Sequence, residues 1–394
     1  MNPREETDSA VCRALRPFGT SIFTEMSALA AECGAVNLSQ GFPDLDGPEP
    51  IRRAAAEALL RGPNQYVPSH GVPALRRAVA GKMASRYGVE LDPDREITVT
   101  AGATEGLAAT LLGLLDPGSE VLLLEPAYDL YAPIVARAGG RPVFVPLDGE
   151  RGYRLERETL AAALGPRTRA IVINNPQNPC GKVYSRTELE LVAELAAQRD
   201  AVVIGDEVYE HLVYDGREHA TLLSVPALRE RALVVSSTAK TFSMTGWKVG
   251  WVAACPRLTR AVRMSHQFLT FCTPGALQEA MAGALESADG YYDELLADYA
   301  ARRERLCGAL EELGLEVLRP EGTYYCSVDV GGLGIGDDLE ACRHLATEVG
   351  VAAIPTSFFH EGRRGGRSLI RLCFCKSDAI LDEAIRRLRR WRRG

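Results

Sequence analysis

Between about residue 95 and residue 255 the chain switches repeatedly between short β-rich runs and longer stretches with apolar residues at helical spacing. The runs lie at 97–100, 121–124, 170–173, 201–204 and 233–236, with a further one at 250–254. Several are apolar throughout instead of alternating, which predicts strands covered on both faces by helices. Stretches 104–115 and 187–199 carry the helical spacing between them. The alternation predicts an α/β fold with a mostly parallel central sheet flanked by helices.

Beyond residue 285 the texture changes. A charged helical stretch at 299–313 is followed by short runs at 316–318 and 324–328 and by a last helix from Ala379. This reads as a smaller α+β domain. The first 45 residues, with Pro17, Gly41, Pro43 and Gly47, read as an arm and entry loop belonging with it. The expected organisation is therefore an arm and small-domain segment at 1–45, a large ligand-binding domain at 46–285 and a small domain at 286–394. A length of 394 residues suits two such units.

Composition narrows the function. A hydrophobic share of 46% with 25% charged residues excludes a disordered or fibrous chain, and no apolar run approaches the roughly 18 residues of a membrane span. A net charge of -7 does not suit a nucleic-acid partner. The arginine-rich stretch 386–393 reads as the C-terminal end of a helix, where cations meet the negative end of the dipole. The acidic start, Met1 to Glu6, lacks the apolar core of a signal peptide. Ten cysteines without a C-x-x-C pair or zinc-like His spacing read as reduced thiols, so a cytoplasmic protein without a metal site is expected.

Open parallel sheets bind ligands at the carboxyl ends of their strands. There the chain places Ala101-Gly102-Ala103-Thr104, Glu125-Pro126-Ala127-Tyr128, Asn174 to Pro179, Asp206-Glu207-Val208-Tyr209 and Ser236-Ser237-Thr238-Ala239-Lys240. The Gly102 turn suits a phosphate at a helix N-terminus and equally suits an ordinary strand-to-helix turn. Asp206 ends an apolar run and needs a cationic partner, unless it is a helix cap.

Of 45 basic residues only five are lysine, so any chemistry needing a side-chain amine has few candidates. Lys82 lies off the apolar stripe Leu75, Val79, Met83 of a helix and reads as solvated. Lys182 and Lys376 read as surface residues. Lys240 and Lys248 fall among the polar strand ends. An amine, a carboxylate, a phosphate seat and the aromatic Tyr128 together suggest a pyridoxal phosphate site. In it Lys240 forms the Schiff base, Asp206 keeps the pyridine nitrogen protonated and Tyr128 stacks on the ring. Tyr209 and Asn178 could bond the ring oxygen, and Ser237 and Lys248 the phosphate.

The motifs Asn37-Leu38-Ser39-Gln40-Gly41-Phe42-Pro43-Asp44, Asn64-Gln65-Tyr66, Asn175-Pro176-Gln177-Asn178-Pro179-Cys180-Gly181, Asp206-Glu207-Val208-Tyr209, Ser236-Ser237-Thr238-Ala239-Lys240 and Ile370-Arg371-Leu372 stand in order along nearly the whole chain. In this the chain resembles the fold-type I, class I/II aminotransferases. The resemblance implies a proton-shuttling Lys240, with Asp206 on the pyridinium and Asn178 and Tyr209 on the ring oxygen. It also implies a phosphate held by Gly102, Ala103, Thr104, Ser237 and Lys248, with Tyr66 reaching it from the other subunit of a homodimer. Arg371, which alone would read as a strand-edge charge, would grip the substrate carboxylate, helped by Gly41 and Asn178.

The arm Thr20-Ser21-Ile22-Phe23-Thr24-Glu25-Met26-Ser27 resembles that of the branch holding kynurenine/glutamine, methionine and succinyldiaminopimelate aminotransferases. Two positions depart from its usual pattern: Cys180, and Phe271-Cys272 where kynurenine-type members carry Phe-His. The expected reaction is a ping-pong amino transfer between an L-amino acid and a 2-oxo acid. With no further arginine marking a distal-carboxylate partner, the expected donor is neutral, aromatic or sulfur-containing. Glu25 at the entrance would instead welcome a basic side chain, and donors from specialised metabolism stay open. A C-S β-lyase would use the same motifs. A nicotinamide-dependent reading of Gly332-Leu333-Gly334-Ile335-Gly336 fails because Asp337 replaces the last glycine of G-x-G-x-x-G. A catalytically silent ligand-sensing protein on the same fold is disfavoured by the presence of both Lys240 and Asp206.

Overall fold

A computed structural model describes residues 10–393; the acidic start at Met1 to Glu6 falls outside them. Thirteen strands occur among the described residues: β1 (Val36–Asn37), β2 (Ile97–Ala101), β3 (Glu120–Glu125), β4 (Arg141–Pro146), β5 (Thr168–Asn174), β6 (Val202–Asp206), β7 (Ala232–Ser237), β8 (Val249–Ala254), β9 (Glu316–Leu318), β10 (Tyr325–Asp329), β11 (Val351–Ala352), β12 (Ile354–Pro355) and β13 (Leu369–Cys373).

Seven of them form the central sheet in the order β2-β8-β7-β6-β5-β3-β4. Neighbours from β7 to β4 are parallel, whereas β8 runs against both β2 and β7. The reversal follows from the short link between Ser237 and Val249, since a parallel return needs a crossover of a dozen or more residues. That link carries Lys240 and Lys248. The sheet is thus α/β and mostly parallel, as the alternation predicts.

Both sheet faces are buried, and successive strand residues supply different cores. Leu122, Leu124, Ile171, Ile173 and Val203 pack with helices Glu49–Arg61, Pro73–Tyr87, Arg186–Ala197 and Gly275–Glu286. Val121, Leu123, Val172, Val202 and Ile204 pack with helices Gly102–Leu114, Tyr131–Arg137 and Pro256–Leu269. Two-sided burial is why these runs read as continuous apolar stretches. The sequence reading missed β4, an edge strand that alternates weakly and carries Pro142 and Pro146. Proline is tolerated there because one side of an edge strand has no ladder to break.

A second sheet, β12-β13-β10-β9, has its own core. Ile22, Met26, Val36 and Leu38 of the N-terminal segment are buried with Leu306, Cys326, Ile354, Leu372 and Leu381. The N-terminal strand β1 pairs in parallel with β11. No helix of the described residues is long and apolar enough to cross a membrane. All ten cysteines are free, seven of them buried. At the C-terminus, Arg386 and Arg387 pair with Glu383, and Arg389 with Glu312.

Candidate active site

The carboxyl ends of β2, β3, β5, β6 and β7 and the edge of the second sheet enclose a cavity of about 1450 Å³. Asp206, Tyr209, Lys240, Asn178 and Tyr128 line it. So do Gly102, Ala103, Thr104, Ser237 and Lys248 at one end, and Arg371, Gly41 and Glu25 at the other. Tyr66 is not part of the lining. It is 85% exposed on the outer surface, where its ring meets that of Phe271 edge-on at 5.2 Å.

Asp206 is the last residue of β6 and is buried. Tyr131 donates a hydrogen bond to its Oδ2 at 2.7 Å, while its Oδ1 is buried without a partner. Burial pushes its carboxyl up to about 6, opposed by the Tyr131 hydroxyl and the Val208 amide. A buried carboxylate oxygen without a donor is costly. A protonated ring nitrogen is a donor that would satisfy it.

Lys240 follows β7 on a single turn of helix, Thr238–Thr241. Its Nζ donates to the Gly41 carbonyl at 3.3 Å and lies 5.8 Å from the Tyr209 and Tyr324 ring centres. Burial lowers the pKa of its ammonium, with Asp206 acting the other way and Arg371 and Lys248 adding to the drop. A lowered pKa increases the share of free amine, which is the nucleophilic and proton-accepting form.

The end of the cavity at Gly102 is built largely from backbone. Helix Gly102–Leu114 starts at Gly102, whose φ of +72° belongs to the left-handed region. Behind it, a Cβ at Gly250 would stand 2.8 Å from the Gly102 carbonyl carbon and 2.9 Å from the Ala103 nitrogen, so the close approach of β8 requires glycine there. The helix N-terminus, the Ser237 hydroxyl and the exposed Lys248 ammonium make a donor set suited to a phosphate dianion. Together with the orphaned Asp206 Oδ1 and the half-buried Lys240 amine, these residues fit pyridoxal phosphate.

At the opposite end Arg371 is fully buried on β13. Nη1 donates to Asn178 Oδ1 at 2.6 Å and Nη2 to the Ser39 carbonyl at 2.8 Å, while Nε has no partner. Its guanidinium carbon lies 3.9 Å from the Tyr325 ring centre, with Phe23 and Phe359 at 5.1 and 5.4 Å. Two of five N-H donors hold the fork in place, which leaves donors for a planar carboxylate. A Cβ on Gly41 would collide with the Tyr325 hydroxyl.

Three readings of the lysines need correction. Lys82, expected in solvent, is buried, with its Nζ 2.5 Å from Glu210 Oε1. Lys376 is also buried and donates to the Phe42 carbonyl at 2.7 Å. Lys182 is half-buried, 3.4 Å from Glu188. Lys82 stands seven residues after Leu75, on the buried stripe with Ala78 and Val79, so helix periodicity did carry the signal of its burial. The partners of Lys82 and Lys376 lie more than 100 residues away and could not be read from the sequence. The sequence reading also passed over Tyr131 and Tyr325. Tyr131 stands three residues after Tyr128, one turn along, and that spacing was the available signal.

Residues 34–388 match the family model described as aminotransferase class I and II. The solved structure of N-succinyldiaminopimelate aminotransferase from Mycobacterium tuberculosis superposes with a TM-score of 0.93 at 48% identity, covering 96% of this chain and 99% of that one. A methionine aminotransferase of Escherichia coli is 43% identical over 375 residues, 95% of this chain and 97% of the relative. A kynurenine–oxoglutarate transaminase of Dictyostelium discoideum is 36% identical over 404 residues, 93% of each chain. The chain belongs to the class I and II aminotransferases, the fold-type I enzymes that depend on pyridoxal phosphate.

Proposed function

We propose that this aminotransferase takes the amino group from an L-amino acid with a neutral, aromatic or sulfur-containing side chain and passes it to a 2-oxo acid, in two half-reactions at one site. The observation that carries the donor class is the cavity wall. Arg371 is the only arginine among the described residues that line it, and Phe23, Tyr325 and Phe359 surround it. A donor with a distal carboxylate would find no second guanidinium among the described residues that line the cavity. The similarity to a methionine aminotransferase agrees with a sulfur-containing donor.

When bound, pyridoxal phosphate supplies the carbonyl that exchanges for the amino group and a ring that accepts the electron pair released with the α-proton. In this reading Asp206 Oδ1 holds the proton on the pyridine nitrogen, and Tyr131 fixes the carboxylate from its other oxygen. Asn178 and Tyr209 orient the ring oxygen, and Tyr128 covers one ring face. Gly102, Ala103, Thr104, Ser237 and Lys248 anchor the phosphate. Arg371 would grip the α-carboxylate and so present the α-hydrogen to Lys240; the freed amine would take that proton and return it to the cofactor carbon on the far side of the transferred nitrogen. The aromatic wall keeps water from the reacting atoms. Cytoplasmic location is part of the same reading.

The enzyme would act as a homodimer. Tyr66 and Phe271 form an exposed aromatic pair, and Met264, Phe268 and Leu269 are exposed on the helix that leads to Phe271. A second copy covering this patch would bring Tyr66 to the neighbouring phosphate end, as the resemblance implies.

The test is a half-reaction screen of single amino acids against the purified holoenzyme, following the visible absorbance of the bound cofactor. Methionine and aromatic donors should bleach it, and aspartate should not. Preferential reaction with aspartate would overturn the donor class. Continuous release of pyruvate and ammonia from a cysteine conjugate, without retention of the amino group, would overturn transamination in favour of β-elimination.

A further inference from the structure

The turn that carries Asp206 and Tyr209 has a second side. Glu207 and Glu210 belong to the same five residues, yet both side chains are buried away from the cavity. Glu207 accepts from the Leu222 amide at 2.9 Å and lies 3.1 Å from His219 Nε2. Glu210 collects three partners: Lys82 Nζ at 2.5 Å, the Ser236 hydroxyl at 2.6 Å and the Tyr87 hydroxyl at 2.7 Å. The Lys82 and Glu210 side chains are only 2% and 4% exposed. Lys82 Nζ also stands 5.0 Å from the ring centre of Trp251.

We propose that Lys82 and Glu210 are positioning residues, which set the cofactor-facing groups from behind by tying three site-bearing segments to one ion pair. Apart from Tyr87, the partners in the cluster are chain neighbours of residues that line the cofactor site or back it. Glu210 follows Tyr209. Ser236 precedes Ser237. Trp251 follows Gly250, the residue against which the Gly102–Ala103 turn packs. Helix Pro73–Tyr87, which supplies Lys82 and Tyr87, contributes nothing to the cavity lining itself.

Burial alone does not explain such a pair. Desolvating two charges offsets much of their attraction, and a well-packed apolar pair often serves stability as well or better. What an ion pair with two further hydrogen bonds adds is a fixed distance and direction at each contact. Glu210 is held in its charged form despite burial, by Lys82 first. The inference rests on the proposed roles of Asp206, Tyr209 and Ser237 toward the cofactor.

The test uses Lys82→Met and Lys82→Arg, with pyridoxal phosphate itself as the probe. Three quantities are read: its dissociation constant, the pH midpoint of the bound cofactor's visible absorbance, and the melting temperature of the apo protein. Positioning predicts that Lys82→Met weakens cofactor binding at least tenfold and moves the absorbance midpoint by half a pH unit or more. Lys82→Arg should return both most of the way. A purely structural pair predicts a lower melting temperature with binding within twofold and an unmoved midpoint, and that result would overturn the proposal. If Lys82→Met does not fold, the neutral double variant Lys82→Met with Glu210→Gln carries the test. It should keep the fold and still bind the cofactor at least fivefold more weakly, and wild-type-like binding would overturn the proposal. A wild-type enzyme whose cofactor is attached to a residue other than Lys240 would instead refute the site reading, and peptide mapping after borohydride reduction separates the two failures.

Discussion

Lys240 and Lys82 lie on opposite sides of the segment that runs from Asp206 to Glu210, and their surroundings differ in one respect. Lys82 meets a carboxylate at 2.5 Å that is itself held by two hydroxyl groups. Lys240 has a carbonyl at 3.3 Å and, among the described residues, no ion pair. The same contrast holds for the acids. Glu210 has its oxygens engaged, whereas Asp206 keeps one buried oxygen without a donor. On the inner side the charged groups of Lys82 and Glu210 satisfy one another, and on the cavity side Asp206 keeps an oxygen for a molecule. Buried polar atoms without a partner occur on both sides, Trp251 Nε1 and His219 Nδ1 on the inner one, so the reacting side is marked by the Asp206 oxygen, which is both without a donor and on a cavity-lining residue.

Replacing the two lysines should break the comparison most visibly. Lys240→Ala removes the group that both holds the cofactor and moves the proton, and should lower turnover about ten-thousandfold with little change in the melting temperature of the apo protein. Retention of more than about a hundredth of the rate would show that another amine does the work. Removing the acid on the inner side should act strongly on stability. Glu210→Ala leaves the Lys82 ammonium buried without its counter-charge, and urea melts should show a loss of about 3–5 kcal/mol. A loss below about 1 kcal/mol would mean that water or another acid reaches Lys82, and the two sides would be less different than the geometry says.

Arg371 combines both conditions, because two of its donors are engaged while Nε is free. Arg371→Gln should reduce kcat/KM for the amino donor by about 10- to 100-fold, the size expected for losing charge-assisted hydrogen bonds of roughly 1.5–3 kcal/mol. The loss should appear mainly in KM. An effect confined to stability would return Arg371 to the structural side of the comparison.

The parts of this arrangement that were legible in the sequence are those governed by local pattern. Continuous apolar runs announce strands buried on both faces, and each run ends where a polar residue reaches the cavity, so Asp206 and Lys240 could be found by position. The ion pair of Lys82 could not. Its helix puts it on the buried stripe seven residues after Leu75, but the acid that makes a buried ammonium tolerable is Glu210, 128 positions later in the chain and brought close only by the fold. Arg371 was found through the resemblance alone, because a short strand in the second sheet carries little local signal. Tyr131 was hidden for another reason: a tyrosine early in a helix is unremarkable until the Asp206 carboxylate lies opposite it. Strand β4 was missed because its prolines read as breakers, which on an edge they are not.

The smallest expected effect separates the two acids by sign. Burial raises the Asp206 carboxyl to about 6 in the folded chain, from an ordinary value of 3.8. The folded protein therefore binds that proton more tightly than the unfolded one, and stability rises as pH falls through 6, levelling off below the unfolded value. Glu210 is shifted the other way. Its stabilising charge is present above its unfolded value of 4.5 and begins to fade only below it. Between pH 7 and pH 5 the first group should act and the second should not. Apo wild type should accordingly gain about 1 kcal/mol relative to apo Asp206→Asn over that interval, measured by urea unfolding at both pH values. A flat difference would mean that the apo cavity hydrates Asp206 well enough to return it to an ordinary carboxylate, and its uncompensated oxygen would then no longer mark the reacting side.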